Sequence, residues 1–284
     1  MEVRNEAGQT EKEFLESYDD SRYRHPSNTV DMLLLSVIDR KLSILLIKRR
    51  NFPWINTWAL PGGFVEFDED LDDAAFRELK EETNIDSSIY FKQLYTLGKA
   101  DRDPRTRVIT TAYISLVPQE SIKNTRAGDD AKEAEWFEIK KVTKKVDSSR
   151  KLSSIIMTNK EKGVTIEYEI SEKTEKNYIR KSSRLLSKEE IAGDHIKLIN
   201  MAMDMLQTRV ASSGLLFALL PKEFTLKEAQ DVYETILDRK QDTRNFRRGI
   251  IKMLRKTGHK KKTYNRESDL YSFDPLYEYL KEDL

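Results

Sequence analysis

The chain has 284 residues, 38% of them hydrophobic and 35% charged, with 50 Lys or Arg against 49 Asp or Glu. That length suffices for one large or two ordinary domains with proper cores, and the near-cancelling charge moves the question of partners to its distribution. With no cysteine, disulfides, thiolate metal sites and a cysteine nucleophile are excluded, the expected compartment is the cytoplasm, and no run approaches the ~18 apolar residues of a membrane-spanning helix.

Residues 1–27 read as a polar tail, because Met1 to Asp20 lacks the apolar core of a signal peptide. Met32 to Ile38 and Leu42 to Ile47 are short apolar runs around Asp39-Arg40-Lys41, predicting two buried strands and a tight turn. A glycine-containing strand follows at Trp58–Gly63, then one helix over 70–83. Strands are expected again at Tyr90–Leu97, Val108–Val117 and Ala134–Ile139. Residues 141–186, rich in Lys and Ser, carry a β-type patch from Val164 to Ile170 and read as an inserted hairpin or flap with mobile flanks. Ser187 with Glu190 has capping-box spacing, so a linking helix is expected over 187–210. Ser212-Ser213-Gly214 breaks it and sets the domain boundary: 28–210, then 214–284. Strands interleaved with helices imply a layered α/β or α+β architecture.

The helix over 70–83 is the informative one. At about 100° per residue, Leu71, Ala75, Glu78, Leu79 and Glu82 share one arc with Glu81 at its edge, opposite Phe76 and Lys80. Carboxylates on an apolar face repel one another and need a partner, and a hard divalent cation that also binds phosphate supplies one. An ordinary acidic surface helix is the alternative. The wider pattern favours the cation: Gly63, five residues, Glu69, seven residues, then Arg77-Glu78-Leu79-Lys80-Glu81-Glu82-Thr83-Asn84-Ile85. This resembles the Nudix signature at every fixed position but one. The exception is Asn84, where the family has Gly. Asn is the next-best residue for a left-handed helix end, so the swap removes no ligand.

A second module follows. Thr225 and Glu228 form another capping box, and Ala229, Val232, Tyr233, Ile236 and Leu237 make an amphipathic stripe. A second helix is expected from Thr243 to about Leu254, with Phe246, Ile250 and Met253 on its apolar side. Arg244, Arg248 and Arg255 lie opposite, and Arg247 sits at the margin. A basic hairpin with Lys260, Lys261 and Lys262 comes next. Residues 239–266 hold twelve Lys or Arg and one Asp. Helix, turn, basic helix and basic hairpin is a winged-helix plan that fits phosphate contacts and a helix in the DNA major groove. Winged helices also serve as dimerisation platforms, and that alternative stays open.

The order of the two pieces resembles the Nudix-related transcriptional regulators of NAD metabolism. Further segments carry the likeness: Asp101–Val108, Ala134–Phe137, Ile191–His195, Phe217–Leu226 and Asp242–Arg248. The resemblance implies an α+β protein, a Nudix α/β/α sandwich followed by a C-terminal winged helix-turn-helix. By similarity, Glu78, Glu81 and Glu82, helped by Glu69 and the Gly63 carbonyl, would bind Mg²⁺ or Mn²⁺, and Arg77 would orient the carboxylates. The resemblance further implies ADP-ribose or a related nucleotide as ligand, a homodimer, and double-stranded operator DNA read by Arg244, Asn245, Arg247, Arg248 and the three wing lysines. No membrane partner is expected. The acidic set keeps a nucleoside-diphosphate-X pyrophosphohydrolase in play, alone or combined with regulation; its general base is left unassigned. Arg105 and Arg107 are candidates for the diphosphate. His195 reads as packing or interdomain glue rather than catalytic, Trp58 as core, and Trp54 stays open.

Overall fold

The computed structural model describes residues 2–83, 90–122, 131–211, 213–263 and 266–277. Thr10 and Glu13 form a reciprocal capping box that starts a short helix, α1 (Glu11–Ser17), within the polar tail. The central hairpin follows from its apolar runs. Strand β1 (Ser27–Ile38) is buried continuously from Val30 to Val37 and pairs antiparallel with β2 (Lys41–Arg49). Asp39 and Arg40 take the left-handed φ values of 48° and 63°, which a two-residue hairpin turn requires.

The expected Trp58–Gly63 strand divides in two at Leu60-Pro61. β3 (Trp58–Ala59) pairs with β2, and β4 (Gly62–Phe64) pairs with β1. Helix α2 (Leu71–Thr83) then crosses one face of the sheet. β5 (Tyr90–Leu97) pairs with β6 (Val108–Leu116), which runs parallel to β1.

Residues 141–186 form antiparallel hairpins, the first of the two expected alternatives, and these belong to the main sheet rather than to a separate flap. β7 (Ala131–Val146) runs well past Ile139, and β8 (Arg150–Asn159), β9 (Val164–Glu175) and β10 (Tyr178–Leu185) extend the same sheet. The strand order is β10-β9-β8-β7-β2-β1-β6-β5. The extension is held because Ile155, Met157, Ile166, Tyr168 and Ile170 are buried in the main core.

The linking helix also starts later than its capping-box spacing suggests. Ser187 does not cap: its hydroxyl accepts from the Glu167 N–H at 2.9 Å and donates to the Glu189 carbonyl at 2.7 Å. Tyr168 holds the same segment, its hydroxyl accepting from the Ile191 N–H at 3.0 Å. Helix α3 (His195–Arg209) begins eight residues on, after Asp194.

Strand alternation splits the core into two layers. Val30, Met32, Leu34, Leu45 and Tyr113 face α2 through Ala74, Ala75 and Leu79. Leu33, Leu35, Ile44 and Leu46 belong with Ile196, Ile199 and Met203 of α3. The result is helix, sheet, helix.

The C-terminal unit packs onto the α3 layer. A 3-10 turn (Gly214–Leu219) leads to α4 (Leu226–Leu237), whose Thr225–Glu228 capping box forms as expected. α5 (Thr243–Ile250) is shorter than expected and ends in a 3-10 turn at Ile251–Met253. Phe246, Ile250 and Met253 are all buried. β11 (Leu254–Thr263) and β12 (Arg266–Phe273) form the wing, tied back to Phe224 by reciprocal backbone bonds with Tyr271. The unit also docks on the β1–β2 turn. The Arg40 guanidinium pairs with Asp231 of α4 at 3.4 Å, and the Thr235 hydroxyl donates to the Arg40 carbonyl at 3.3 Å. No helix of the described residues is long and apolar enough to cross a membrane.

Two buried charges yield predictions. Lys141 of β7, its side chain 2% exposed, donates to Asn200 at 2.7 Å and to Asp204 on α3. Lys141→Ala leaves Asp204 with Lys181 alone and should destabilise the α3 contact by about 3 kcal/mol, read as faster amide exchange in α3. Glu234 accepts from Lys240 at 2.7 Å, Gln230 at 2.9 Å and the Gln241 N–H at 3.1 Å. The Lys240 ammonium foremost pulls its carboxyl down from 4.5 to about 2. A depressed carboxylate stabilises the fold above its unfolded value and ceases to do so as pH falls through the folded one. The winged-helix unit should therefore lose stability between pH 4.5 and 2, and Glu234→Gln should flatten that loss in thermal melts.

Candidate functional site

Arg77 gathers the acidic set. Its guanidinium donates to both Glu69 oxygens at 2.8 and 2.9 Å, to Glu78 at 2.7 Å, to Glu81 at 3.5 Å and to the Phe64 carbonyl at 3.1 Å. Helix α2 makes this possible: Arg77, Glu78 and Glu81 sit on adjacent turns, and Glu69 lies just before the helix starts. Glu78 is 8% exposed, and burial pushes its carboxyl up despite the Arg77 attraction. The Glu69 carboxyl is held down by its Arg77 hydrogen bonds. The inner face is as expected for Ala75, Glu78 and Leu79, but Leu71 is exposed. Phe76 is exposed, as expected of the opposite side, and stacks on Phe91 at 4.1 Å. Glu82 lies in the last turn of α2; its side chain, and Asn84 altogether, fall outside the described residues.

Glu78 lies against the backbone of Gly63. A Cβ built on that glycine would fall 2.1 Å from Glu78 Oε1. A buried carboxylate with a raised pKa, pressed against a backbone segment and facing Glu81, is an oxygen-donor set that fits a hard divalent cation. Among the described residues no cluster of three or more carboxylates or imidazoles closes a metal cage by itself.

Arg77, Glu78 and Glu81 line a cleft of about 780 Å³, with Gly62, Gly63 and Phe64 beside them; Glu69 is not among its lining residues. Arg49, Arg50, Phe52 and Trp54 also line it, as do Arg102, Arg105, Asp194 and His195. Trp54 has φ 58° and lays its indole on Gly193, where a Cβ would come within 3.1 Å of the ring. Trp58, by contrast, is core, edge-on to Phe137 at 4.7 Å. Arg105 lines the cleft, paired with Asp103 at 2.8 Å and set over the Phe64 ring. Arg107 does not line it; its carbonyl accepts from the Ser27 N–H at the start of β1.

Three residues that line the cleft were not singled out in the sequence: Asp31, Arg102 and Asp194. Arg102 donates to Asp194 at 2.9 Å and lies 4.0 Å from Asp31. Asp31 also accepts from the Thr110 hydroxyl at 2.6 Å and lies 3.5 Å from His195 Nε2. His195 Nδ1 accepts from the Leu60 N–H at 3.1 Å, which places its proton on Nε2, toward Asp31. A lone Asp inside the Val30–Ile38 run was the available signal, since a carboxylate on a buried strand needs a partner.

On the winged unit, Arg244, Asn245, Arg247 and Arg248 are exposed along α5. The Asn245 N–H is capped by Asp242 at 2.8 Å, and its side-chain oxygen accepts from Arg248 at 3.2 Å. Arg244 and Arg247 have no ion-pair partner among the described residues. The wing lysines differ from one another. Lys260 pairs with Glu267 at 3.3 Å and Lys261 with Glu228 at 2.6 Å, whereas Lys262 has no ion pair among the described residues.

This combination, an acidic helix and cleft on a mixed sheet with a basic winged helix beyond it, defines a two-module Nudix protein. The NUDIX domain family model matches residues 27–154, and the NrtR DNA-binding winged helix domain matches residues 216–273. The chain is 32% identical to the ADPR responsive transcriptional repressor NtrR of Acinetobacter baylyi, covering 93% of this chain and 88% of that one. The chain belongs to the NrtR family of Nudix-related transcriptional regulators. A crystal structure of Shewanella oneidensis NrtR complexed with a 27mer DNA superposes with a TM-score of 0.63 at 25% identity, covering 87% of this chain and 93% of that one. An ADP-ribose pyrophosphatase of Methanocaldococcus jannaschii is 40% identical over 47% of this chain and 76% of its own length.

The Gly63–Glu78 contact is testable. Gly63→Ala should displace the Glu78 carboxylate and lower affinity for any divalent cation held there by about 10- to 100-fold; thermal shifts in titrations of Mg²⁺ and of Mn²⁺ measure it.

Proposed function

We propose that the protein is a nucleotide-responsive transcriptional regulator, with a Nudix domain over residues 28–210 and a DNA-binding winged helix over residues 214–284. The ligand is ADP-ribose or a related nucleoside diphosphate. One observation carries this reading: Asp194 and His195, at the start of the helix that leads to the winged unit, belong to the wall of the cleft. A ligand filling the cleft therefore touches the connection between the modules, and a contact that differs between two arrangements is what shifts an equilibrium. Arg105 and Arg102 supply cationic surface for the diphosphate, and Trp54 offers an apolar face to a base. The protein acts as a homodimer, two winged helices matching two half-sites of double-stranded operator DNA. Arg244, Asn245, Arg247 and Arg248 face the bases and backbone, with Lys262 the freest of the three wing lysines.

Glu78, Glu81, Glu82 and the Gly63 carbonyl, with Glu69 behind them, would hold Mg²⁺ or Mn²⁺. Such an ion neutralises a diphosphate and lowers the pKa of bound water. Arg77 keeps the carboxylates in place by sharing its donors among Glu69, Glu78 and Glu81. The buried Glu78 favours a second, compatible reading, a Mg²⁺-dependent pyrophosphohydrolase that destroys its own effector and so resets the switch.

Thermal-shift screening of ADP-ribose, NAD and sugar nucleotides with and without Mg²⁺ tests the ligand; mass spectrometry of the stabilising compound tests cleavage. Trp54→Ala should weaken the stabilising nucleotide by about 1–3 kcal/mol. Arg248→Ala should weaken operator binding by about 1–3 kcal/mol in gel shifts and leave that nucleotide's shift unchanged. For hydrolysis, Glu82→Gln and Glu78→Gln should each slow turnover on the order of 100-fold or more. Rates equal to wild type would remove the hydrolase reading and leave the regulator standing.

A further inference from the structure

The strands that extend the sheet end in a basic tip, and strand register fixes where it lies. Ile38 faces Lys41 across the β1–β2 turn, and Ser43 faces Glu138 on β7. Lys140 is therefore level with that turn. β7 continues to Val146, six residues further, or roughly 20 Å at strand rise. β8 starts back from Arg150, and β9 and β10 meet at the same end, at Glu175 and Tyr178. The β1–β2 turn is where α4 docks, through Arg40 to Asp231 and Thr235. The tip thus projects past the docking point, at the winged-helix end of the molecule.

Residues 140–151 hold six Lys or Arg and one Asp; Lys140, Lys141 and Lys144 are matched by Glu138, Asp204 and Glu167, which leaves Lys145, Arg150 and Lys151 at the tip. Arg150 stands directly opposite Lys173, and Lys173 opposite Arg180, across three adjacent strands. These three cations share one face, and like charges placed directly opposite destabilise a sheet. Among the described residues only Arg180 of the three has a carboxylate partner, Glu175 at 3.6 Å. Arg150 donates to the Ser171 hydroxyl at 3.0 Å, and Lys145, Lys151, Lys173 and Lys176 have no ion pair among the described residues. Asp147 is occupied by the Ser149 and Arg150 backbone N–H groups. Further down the same face the charges are matched, Lys144 with Glu167 at 3.1 Å and Arg184 with Glu169 at 3.0 Å. The excess of cations is confined to the projecting end.

We infer that this tip is a second contact surface for duplex DNA, holding phosphates beside the segment bound by the winged helix. The inference rests on the reading of the winged helix as a DNA-binding module. The cation row spans two interstrand spacings, roughly 10 Å, about three steps of axial rise along one DNA strand. A polyanion relieves the repulsion within the row, and contacts to phosphate add affinity without sequence preference.

Fluorescence anisotropy with a mixed-sequence duplex of about 40 base pairs, across a salt series, tests it. Three full-length proteins are compared: wild type, a tip variant (Lys145→Ser, Arg150→Ser, Lys173→Ser, Lys176→Ser) and a helix variant (Arg247→Ala, Arg248→Ala). The tip variant should bind about tenfold or more weakly at moderate salt. Its log–log salt slope should be shallower by about 2 to 3, at ~0.9 per lost phosphate contact. Should the tip variant fail to melt cooperatively, Lys173→Gln alone should still reduce the slope by about 0.9. A wild-type slope in a folded tip variant, with the helix variant weakened, overturns the tip and leaves the winged-helix reading intact. No duplex binding by wild type, or an unweakened helix variant, overturns that reading and the tip with it. A changed oligomeric state by light scattering with an unchanged slope overturns the inference and marks the tip as a contact between copies.

Discussion

Arg102 is almost sealed from solvent, and its guanidinium holds carboxylates from two different parts of the chain. Asp31 belongs to β1, the floor of the cleft; Asp194 immediately precedes α3, the helix that leads to the winged unit. A buried charge must be matched, and removing one partner costs far more than the pair contributes. The cleft floor and the linking helix are therefore fixed to each other at one point. The far side of α3 is fixed by a second buried cation, Lys141, reaching Asn200 and Asp204. Between these anchors α3 packs its apolar face on the sheet, and buried side chains of the strand extension belong to the same core. The C-terminal unit follows from this helix and docks on the β1–β2 turn, so the ionic contacts before and along α3 help to set how cleft and winged helix are related.

The acidic helix was the most legible part of the sequence, because helical geometry and the spacing of the Nudix box point to the same residues. Ala75, Glu78 and Leu79 turn inward as that geometry requires. Leu71 does not, because it is the first residue of α2 and remains exposed. The cleft's own cations and their partners were harder to see. Arg102 and Asp194 are loop residues ninety-two positions apart, and nothing local joins them. The start of α3 was misplaced for a related reason. Ser187 and Glu190 have the spacing of a cap, but Ser187 bonds to β9 and Glu189 instead. The β character of Val164–Ile170 was legible as a pattern, while its partners in the central sheet were not, since register between distant strands leaves no local trace.

Charge on the winged unit shows why composition alone misleads. The basic surplus of residues 239–266 is visible in the sequence, yet its members differ in availability. Lys256, Lys260 and Lys261 each meet a carboxylate, so part of the surplus holds the wing to itself and to α4. The arginines of α5 stay on the surface, where a planar guanidinium suits base edges and phosphates alike. The internally paired lysines shape the module, and the arginines of α5 are left exposed on its surface.

The β1–β2 turn places two non-glycine residues in left-handed conformations, an arrangement that glycine or asparagine adopts at lower cost. At Arg40 that local cost is coupled to long-range organisation, because both its side chain and its carbonyl bind α4. Replacing Arg40 with glycine would ease the hairpin and at the same time remove the guanidinium that meets Asp231. Engineering this protein for thermal tolerance by the usual idealisation of turns would thus produce a sturdier Nudix domain with a looser neighbour, a molecule more robust as a receptor and less faithful as a transmitter.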